Sequence, residues 1–439
     1  MKNIVVAKFG GSSLADSAQF NKVKEIVLGD KKRKYIVPSA PGKRNKEDEK
    51  ITDLLYLCHD RVQQNNSFDD AFNLIENRFL QLVKELNVGI NIKEYLEEIK
   101  KNIAKGASAD YTASRGEYLN GLILSDFLDY EFVDPAEIIF FRENGLFDEE
   151  RTQKAVSERL LKIDKAVIPG FYGSMPNGNI KTFSRGGSDV TGSIIARGVS
   201  ADIYENWTDV SGFLMADPRI VENPKNIKKI TYRELRELSY MGATVLHEEA
   251  IFPVRKEGIP INIKNTNSPE DEGTFIINDL ELLNNMSTIT GVAGKKDFTV
   301  ITIEKNMMNV EQGYCRKVLS VLEENNVSFE HMPSGVDTVS LVIAQSQLDG
   351  KLEKILMEVE TKCNPDKIEV HPDMALVAVV GRGMLRTIGT SAKIFEALAK
   401  NDVNVRMISQ GSSEINIIVG VENKDFENAV RAIYNAFSK

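Results

Sequence analysis

The sequence predicts an α/β protein in which a mostly parallel sheet, sandwiched by helices, is followed by two small ferredoxin-like βαββαβ modules. Three observations carry that expectation. Strand-length apolar runs alternate with helical patterns up to about Ile277, the stretch from Phe68 to Leu128 is wholly helical in pattern, and the C-terminal region repeats itself.

The strand candidates, in order, are Ile4 to Phe9, Tyr35 to Pro38, Ile138 to Phe141, Ala166 to Pro169, Ala201 to Tyr204 and Ile259 to Ile263. Short apolar runs between longer helical stretches are what a parallel sheet, covered on both faces, looks like in sequence. Phe72, Ile75, Phe79, Leu82, Val83 and Leu86 keep helical spacing, as do Tyr95, Leu96, Ile99 and Ile103; this helical excursion, about 67–130, is placed to cover a site. A polar stretch from Asn278 to Ser287 closes the first part. Beyond it, a shift of 76 residues superposes the sequence on itself without a gap, pairing Met308 with Met384, Gly313 with Gly389, Lys317 with Lys393, Leu322 with Leu398, Asn325 with Asn401, Val327 with Val403 and Gly335 with Gly411. The expected domains are 1–284, then modules at 285–372 and 373–439, with the strand near 289–293 a candidate to join the second module although it precedes the first.

Composition excludes several classes. Across 439 residues, 55 Lys and Arg face 64 Asp and Glu, a net charge of −9 with no basic stripe, so a nucleic-acid partner is not expected. The longest apolar stretches, such as Met374 to Val380, fall far short of the ~20 residues that span a bilayer. MKNIVVAKFGG meets glycines too early for a signal-peptide core, which points to the cytoplasm. Cys58, Cys315 and Cys363 show no paired spacing, and His59, His247, His331 and His371 show no metal-ligand spacing, so neither a disulfide framework nor a protein-held metal is expected.

Chemistry concentrates in glycine turns. KFGGSS, Lys8 to Ser13, follows the first strand and precedes a helix starting near Asp16; glycines admit a phosphate to the backbone, and exposed N–H groups with a nearby ammonium can hold it. It is not a Walker A loop, because the Lys precedes the glycines. FSRGGSD, Phe183 to Asp189, repeats the strand-turn-helix arrangement; Arg185 can grip a carboxylate and Asp189 can accept from an ammonium, although the pair alone fits a surface ion pair equally well. WTDVSGFLMADPR, Trp207 to Arg219, brings Asp and Arg to a strand end, where open α/β sheets bind ligands; a solvated turn also accounts for Asp217 and Pro218. Glu117 in SRGEYLN is by default a solvent-facing helix charge.

Taken in order, KFGGSS, SRGE, FSRGGSD, WTDV with ADPR, ELSYMGATVLHEEA and ISQGSSEIN resemble the aspartate kinases over essentially the whole chain. The resemblance implies an amino-acid-kinase domain followed by two ACT modules. It implies transfer of phosphate from ATP, carrying Mg2+, to the side-chain carboxylate of L-aspartate, giving 4-phospho-L-aspartate at the head of the lysine, threonine and methionine (diaminopimelate) pathway. Lys8 would then stabilise the transferring phosphoryl group, with Gly10, Gly11 and Ser12 shaping its pocket and Asp209 orienting it. Thr208, Asp209 and Arg219 would contact the nucleotide; Ser39, Thr52, Glu117, Arg185, Ser188 and Asp189 would form the aspartate site, with Arg185 on a carboxylate and Glu117 and Asp189 near the ammonium. The acceptor, a carboxylate of pKa about 3.9, is already ionised, so no general base is needed and catalysis rests on positioning and positive charge.

The APGK segment resembles the lysine-sensitive branch. That implies inhibition by lysine, alone or with threonine, at Met308, Gly313, Tyr314, Ser328, Glu330, Ser334 and Gly335, between modules of two subunits in a homodimer or dimer of dimers. Ser12 replaces the commoner Thr, and Ser211 and Leu214 stand where relatives carry Pro and an aromatic residue. The charged loop from Ser39 to Thr52, SAPGKRNKEDEKIT, reads as solvated. Two alternatives stay open: an amino-acid sensor with an inactive kinase domain, and a glutamate 5-kinase, whose substrate differs by one methylene worth about 1–3 kcal/mol. Acetylglutamate kinase fits less well, since an amide would leave two carboxylates unpaired.

Overall fold

The structure, a computed structural model, describes residues 3–184, 186–242, 248–278 and 287–438. It forms two compact units: Met1–Phe213 with Asn226–Tyr232 and Thr244–Leu282, and Leu214–Lys225 with Arg233–Ala243 and Leu283–Lys439. The expected division at 284–285 falls outside the described residues, and two short segments that precede it belong to the second unit.

In the first unit the strands are β1 (Val5–Phe9), β2 (Arg33–Pro38), β3 (Glu131–Phe132), β4 (Ala166–Val167), β5 (Tyr172–Ser174), β6 (Ile180–Thr182), β7 (Ile203–Thr208), β8 (Lys229–Thr231), β9 (Ile261–Asn265) and β10 (Thr274–Ile277). Eight make one sheet in the order β3-β4-β2-β1-β7-β9-β10-β8, and only the β9–β10 pair is antiparallel. β5 and β6 form a separate hairpin. The helices up to residue 278 are α1 (Ser17–Gly29), α2 (Ile51–Gln63), α3 (Asp69–Leu86), α4 (Ile92–Ala104), α5 (Ala109–Leu128), α6 (Glu149–Leu160), α7 (Gly187–Gly198), α8 (Tyr232–Tyr240) and α9 (Glu248–Glu257). Asp16 caps α1 by accepting from Gln19 N at 2.9 Å, and Ser108 caps α5 by accepting from Tyr111 N at 3.1 Å, each satisfying an amide with no partner inside its helix.

Period-two alternation along β1 decides what faces what. Ala7 and Phe9 enter a core with Phe20, Leu55, Phe72, Phe79, Ile123 and Trp207, which packs the helical excursion onto the sheet; Phe9 stacks on Trp207 with ring centroids 5.9 Å apart. Lys8 points to the opposite face. The expected strand Ile138–Phe141 is not part of the sheet. Pro135 opens a 3-10 turn through Glu137, Ile138 and Ile139 are buried as loop, and Phe140 and Phe141 make only single bridges, to Ser174 and Phe147. Burial demanded an apolar run there, but a proline with fixed φ and no N–H turns the chain before a ladder can form.

The second unit carries β11 (Gly291–Glu304), β12 (Thr338–Ala344), β13 (Lys367–Val380), β14 (Met407–Ser409) and β15 (Asn416–Glu422), with helices α10 (Tyr314–Glu324), α11 (Gln345–Leu348), α12 (Leu352–Cys363), α13 (Thr390–Ala399) and α14 (Phe426–Phe437). The strands make one antiparallel sheet, β12-β11-β13-β15-β14, lying over two separate cores. Gly291–Lys295 of β11 pairs with Leu376–Val380 of β13, whereas Phe298–Glu304 pairs with β12 on one side and with the Lys367–Met374 half of β13 on the other. Accordingly Ile289 and Val292 pack with Val419 and Tyr434, while Ile301 and Ile303 pack with Val318, Val339 and Ile355. The two early segments join this unit through hydrogen bonds: Val292 N donates to Met215 O at 2.7 Å, and the buried Glu234 carboxylate accepts from Thr290 Oγ1 at 2.6 Å and Arg382 N at 2.9 Å.

Residues paired by the 76-residue shift occupy equivalent positions. Gly313 and Gly389 cap α10 and α13 at φ 78° and 87°. Asn325 and Asn401 each donate from Nδ2 to the carbonyl four residues back at 2.8 Å. Among the described residues no helix is long and apolar enough to cross a membrane.

Candidate active site

Lys8 is only 8% exposed, and its Nζ lies 2.6 Å from Asp189 Oδ1 and 3.4 Å from Asn206 Oδ1. Asn206 Nδ2 donates to the same Asp189 oxygen at 2.9 Å, closing a triangle. Two sequence-distant elements make this possible. Asn206 is the register partner of Lys8 across β1 and β7. Asp189 comes from the first turn of α7, whose start requires both glycines: Gly186 takes φ 64°, and a Cβ on Gly187 would lie 2.4 Å from Phe171 Cδ2.

On the phosphate-type side, Gly10 N donates to Trp207 O at 2.9 Å, and a Cβ on Gly10 would lie 3.6 Å from the Lys8 ammonium. Gly11 opens a 3-10 turn to Leu14 on which Ser12 is exposed; Ser13 Oγ shares a hydrogen bond with Thr266 Oγ1 at 2.7 Å. The neighbouring loop leaves β2. Ser39 N donates to Phe9 O at 3.0 Å, and Asn120 Nδ2 of α5 donates to Ser39 O at 2.6 Å. Thr52, half-buried, stands in the first turn of α2, and Ser188 is buried against Gly170.

Glu117 is not the solvent-facing charge its helix position suggested. It is 6% exposed, because Gly116 lets α5 close to where a Cβ would stand 2.9 Å from Ala40 Cβ. Its Oε2 has no hydrogen-bond partner, and burial pushes its pKa up to about 8, with a backbone hydrogen bond from Ala40 and the Arg115 charge countering only in part. Asn120 Oδ1, three residues on along the same helix face, is also buried without a partner. Two buried side-chain oxygens without a protein partner thus stand beside the Ser39–Ala40 loop.

The resemblance placed Asp209 on Lys8; the carboxylate on Lys8 in the structure is Asp189 instead. Asp209 lies one residue beyond the end of β7, exposed, and accepts from Thr208 Oγ1 at 3.2 Å. Asn206, not Asp209, has the strand position that faces Lys8. Arg219 belongs to the second unit, 87% exposed at its side chain, with Nη2 2.6 Å from Asp217 Oδ2. Arg185 and His247 lie outside the described residues. Ser211 Oγ donates to Asp271 Oδ2 at 2.5 Å and accepts from Asn265 Nδ2 at 3.0 Å. Among the expected effector contacts, Met308 and Tyr314 are core residues, 7% and 2% exposed, because they fill the space beneath the sheet. Gly313 caps α10, Ser328 is exposed, Ser334 bridges to Val339, and Gly335 N donates to Thr338 O at 2.8 Å. Glu330 accepts from the Tyr240 hydroxyl, which pushes that phenol up to about 12.

Comparison with known proteins follows the same division. The amino acid kinase family matches residues 3–265, and an ACT domain matches residues 377–437. Aspartokinase 3 of Bacillus subtilis is 39% identical over 98% of this chain and 98% of its own. The chain belongs to the aspartokinase family. Within that family, the crystal structure of Clostridium acetobutylicum aspartate kinase is 66% identical over 99% of this chain and 100% of its own, with a TM-score of 0.95. Aspartokinase III of E. coli, solved with aspartate and ADP, is 26% identical over 99% of this chain and 100% of its own at a TM-score of 0.74. The same enzyme solved with lysine and aspartate is 25% identical over 100% of both chains at a TM-score of 0.75.

Sequence reasoning missed Asn206 and Asn120. Asn206 becomes visible only once the register of β1 and β7 is known. For Asn120 a signal existed, since it follows Glu117 by three residues and so shares its helix face.

Proposed function

We propose that this chain phosphorylates the side-chain carboxylate of L-aspartate with Mg·ATP, through the site built around Lys8. The chain is an aspartate kinase. The observation that carries the residue assignment is the 2.6 Å Lys8–Asp189 ion pair, which joins a glycine turn suited to phosphate to one suited to an amino acid.

Lys8, Gly10, Gly11 and Ser12 take the transferring phosphate. Thr208 and Asp209 offer oxygen ligands, which magnesium prefers, and serve the nucleotide; the Mg2+ carried on ATP would supply charge neutralisation there when bound. Ser39, Thr52, Arg185 and Ser188 orient aspartate, and Glu117 and Asp189 accept from its ammonium. Lys8 is held by Asp189 and Asn206 until phosphate competes for it, which keeps the ammonium in place without a water shell. No proton needs to leave the acceptor. E. coli aspartokinase III was solved with lysine, and inhibition by lysine, alone or with threonine, acting on the second unit of a homodimer or dimer of dimers belongs to the same reading.

The test is ADP formation dependent on aspartate, with glutamate and N-acetylglutamate in parallel. Turnover with aspartate alone supports the assignment; equal turnover with glutamate would overturn it.

A further inference from the structure

The charged loop between Ser39 and Thr52 is pinned at its centre by Arg78, a side chain of α3 that is 4% exposed. Arg78 Nη2 donates to Ala15 O at 2.8 Å and to Gly42 O at 2.7 Å, and Nη1 donates to Asp48 Oδ2 at 2.5 Å. Arg44 completes the clasp: its backbone N and Nε reach Asp48 Oδ2 at 2.9 Å each, and its Nη2 reaches Oδ1 at 3.0 Å. Asp48 is thus the one acidic residue of the loop that turns inward, while Glu47 and Glu49 stay exposed, and Arg44 and Arg78 hold the Asp48 carboxyl well below the usual carboxylate range.

The three anchors have different owners. Ala15 ends the turn that begins at Gly10 and Gly11, on the phosphate side. Gly42 follows Ser39 and Ala40, on the aspartate side. The two loops meet backbone to backbone: Gly42 N donates to Gly11 O at 2.8 Å, and a Cβ on Gly42 would lie 2.5 Å from the Gly11 carbonyl carbon. One guanidinium, delivered by the helical excursion, spans that seam.

We propose that Arg78 is a positioning residue for phosphoryl transfer, tying Ala15 and Gly42 to one planar cation with Asp48 as its counterion, so that the donor and acceptor loops keep their reacting separation. The proposal rests on the site assigned above. Each substrate bound alone needs only its own loop, but transfer needs both in register, and a misplacement of about 1 Å costs about 100-fold in rate. A lysine ammonium cannot reproduce the rigid fork that reaches two carbonyls and a carboxylate.

Full-length Arg78→Lys and Asp48→Asn variants test this by kcat and by calorimetric Kd values for ADP and aspartate measured singly. Arg78→Lys is expected to lose about 100-fold in kcat. Asp48→Asn, which leaves both carbonyl bonds in place, is expected to lose about 10-fold, with each single-substrate Kd changed less than about threefold in either variant. The double variant is no worse than Arg78→Lys, since both changes open one clasp. Wild-type kcat in both variants overturns the proposal, as does a parallel loss of kcat, both Kd values and melting temperature. Should Arg78→Lys fail to fold, Asp48→Asn decides alone. Failure of the underlying site assignment has a different signature, wild-type turnover in Lys8→Ala, which the clasp variants do not affect.

Discussion

Glu117 offers the sharpest quantitative test. With its pKa raised from 4.5 to about 8 by burial, unliganded Glu117 is about nine-tenths protonated at pH 7. An incoming ammonium needs the carboxylate, so binding must first release that proton. Aspartate KM is therefore expected to rise as pH falls below 8, about tenfold at pH 7 and about a hundredfold at pH 6 relative to pH 9. Glu117→Gln keeps the shape and removes the charge. It should lose about 2–3 kcal/mol of aspartate binding, roughly 30- to 150-fold in kcat/KM, and flatten the pH dependence.

Stability moves the other way. The unfolded carboxyl ionises near 4.5 while the folded one stays protonated to about 8, so unfolding releases a proton in that window and wild-type stability falls as pH rises through it. At pH 7 the deficit is about 3 kcal/mol, which Glu117→Gln regains. Initial rates from pH 6 to 9 and urea unfolding at pH 5 and 8 measure both effects. A wild-type KM that does not change with pH, or the same pH dependence in Glu117→Gln, would refute the reasoning.

Other perturbations probe the remaining contacts. Asn206→Leu removes the amide that brackets Lys8 and Asp189 and should cost kcat about tenfold, measured beside an ADP Kd that stays near wild type. Lys8→Ala should lose turnover by at least about 100-fold while aspartate still binds; equal losses in both would mean its role is misassigned. Gly389→Ala, at φ 87° in open space, should cost about 1–2 kcal/mol in chemical unfolding without touching kcat, since only backbone conformation opposes it.

Much of the architecture was legible because buried parallel strands announce themselves. β1 and β2 carry the apolar runs expected there, β7 and β9 overlap the expected Ala201–Tyr204 and Ile259–Ile263 in part and run on into polar residues, and the repeat was visible because Gly313 and Gly389, or Asn325 and Asn401, do identical jobs. Other short elements were not legible: β5, β8 and β10 have three or four residues each, too few for a period, whereas β6 is the strand expected before the FSRGGSD turn. Ile138–Phe141 misled because burial and ladder formation leave the same apolar signature. At the site, the glycine turns showed themselves through composition. The side chains they bring together did not: the Lys8–Asp189 pair spans 181 positions and Asn206 reaches Lys8 only through strand register. Glu117 was hidden by its neighbour, since it is Gly116 that lets the helix bury it. The run around Asp48 is solvated as expected at Lys43–Glu47, Glu49 and Lys50; only the inward turn of Asp48 was hidden, because its partner Arg78 lies on another helix.

The central claim is that an acyl phosphate forms on aspartate at Lys8. Trapping with hydroxylamine measures that product directly. Wild-type protein with aspartate and Mg·ATP should yield aspartate hydroxamate, and Lys8→Ala should yield almost none. No hydroxamate from the wild type, or undiminished hydroxamate from Lys8→Ala, would contradict the account.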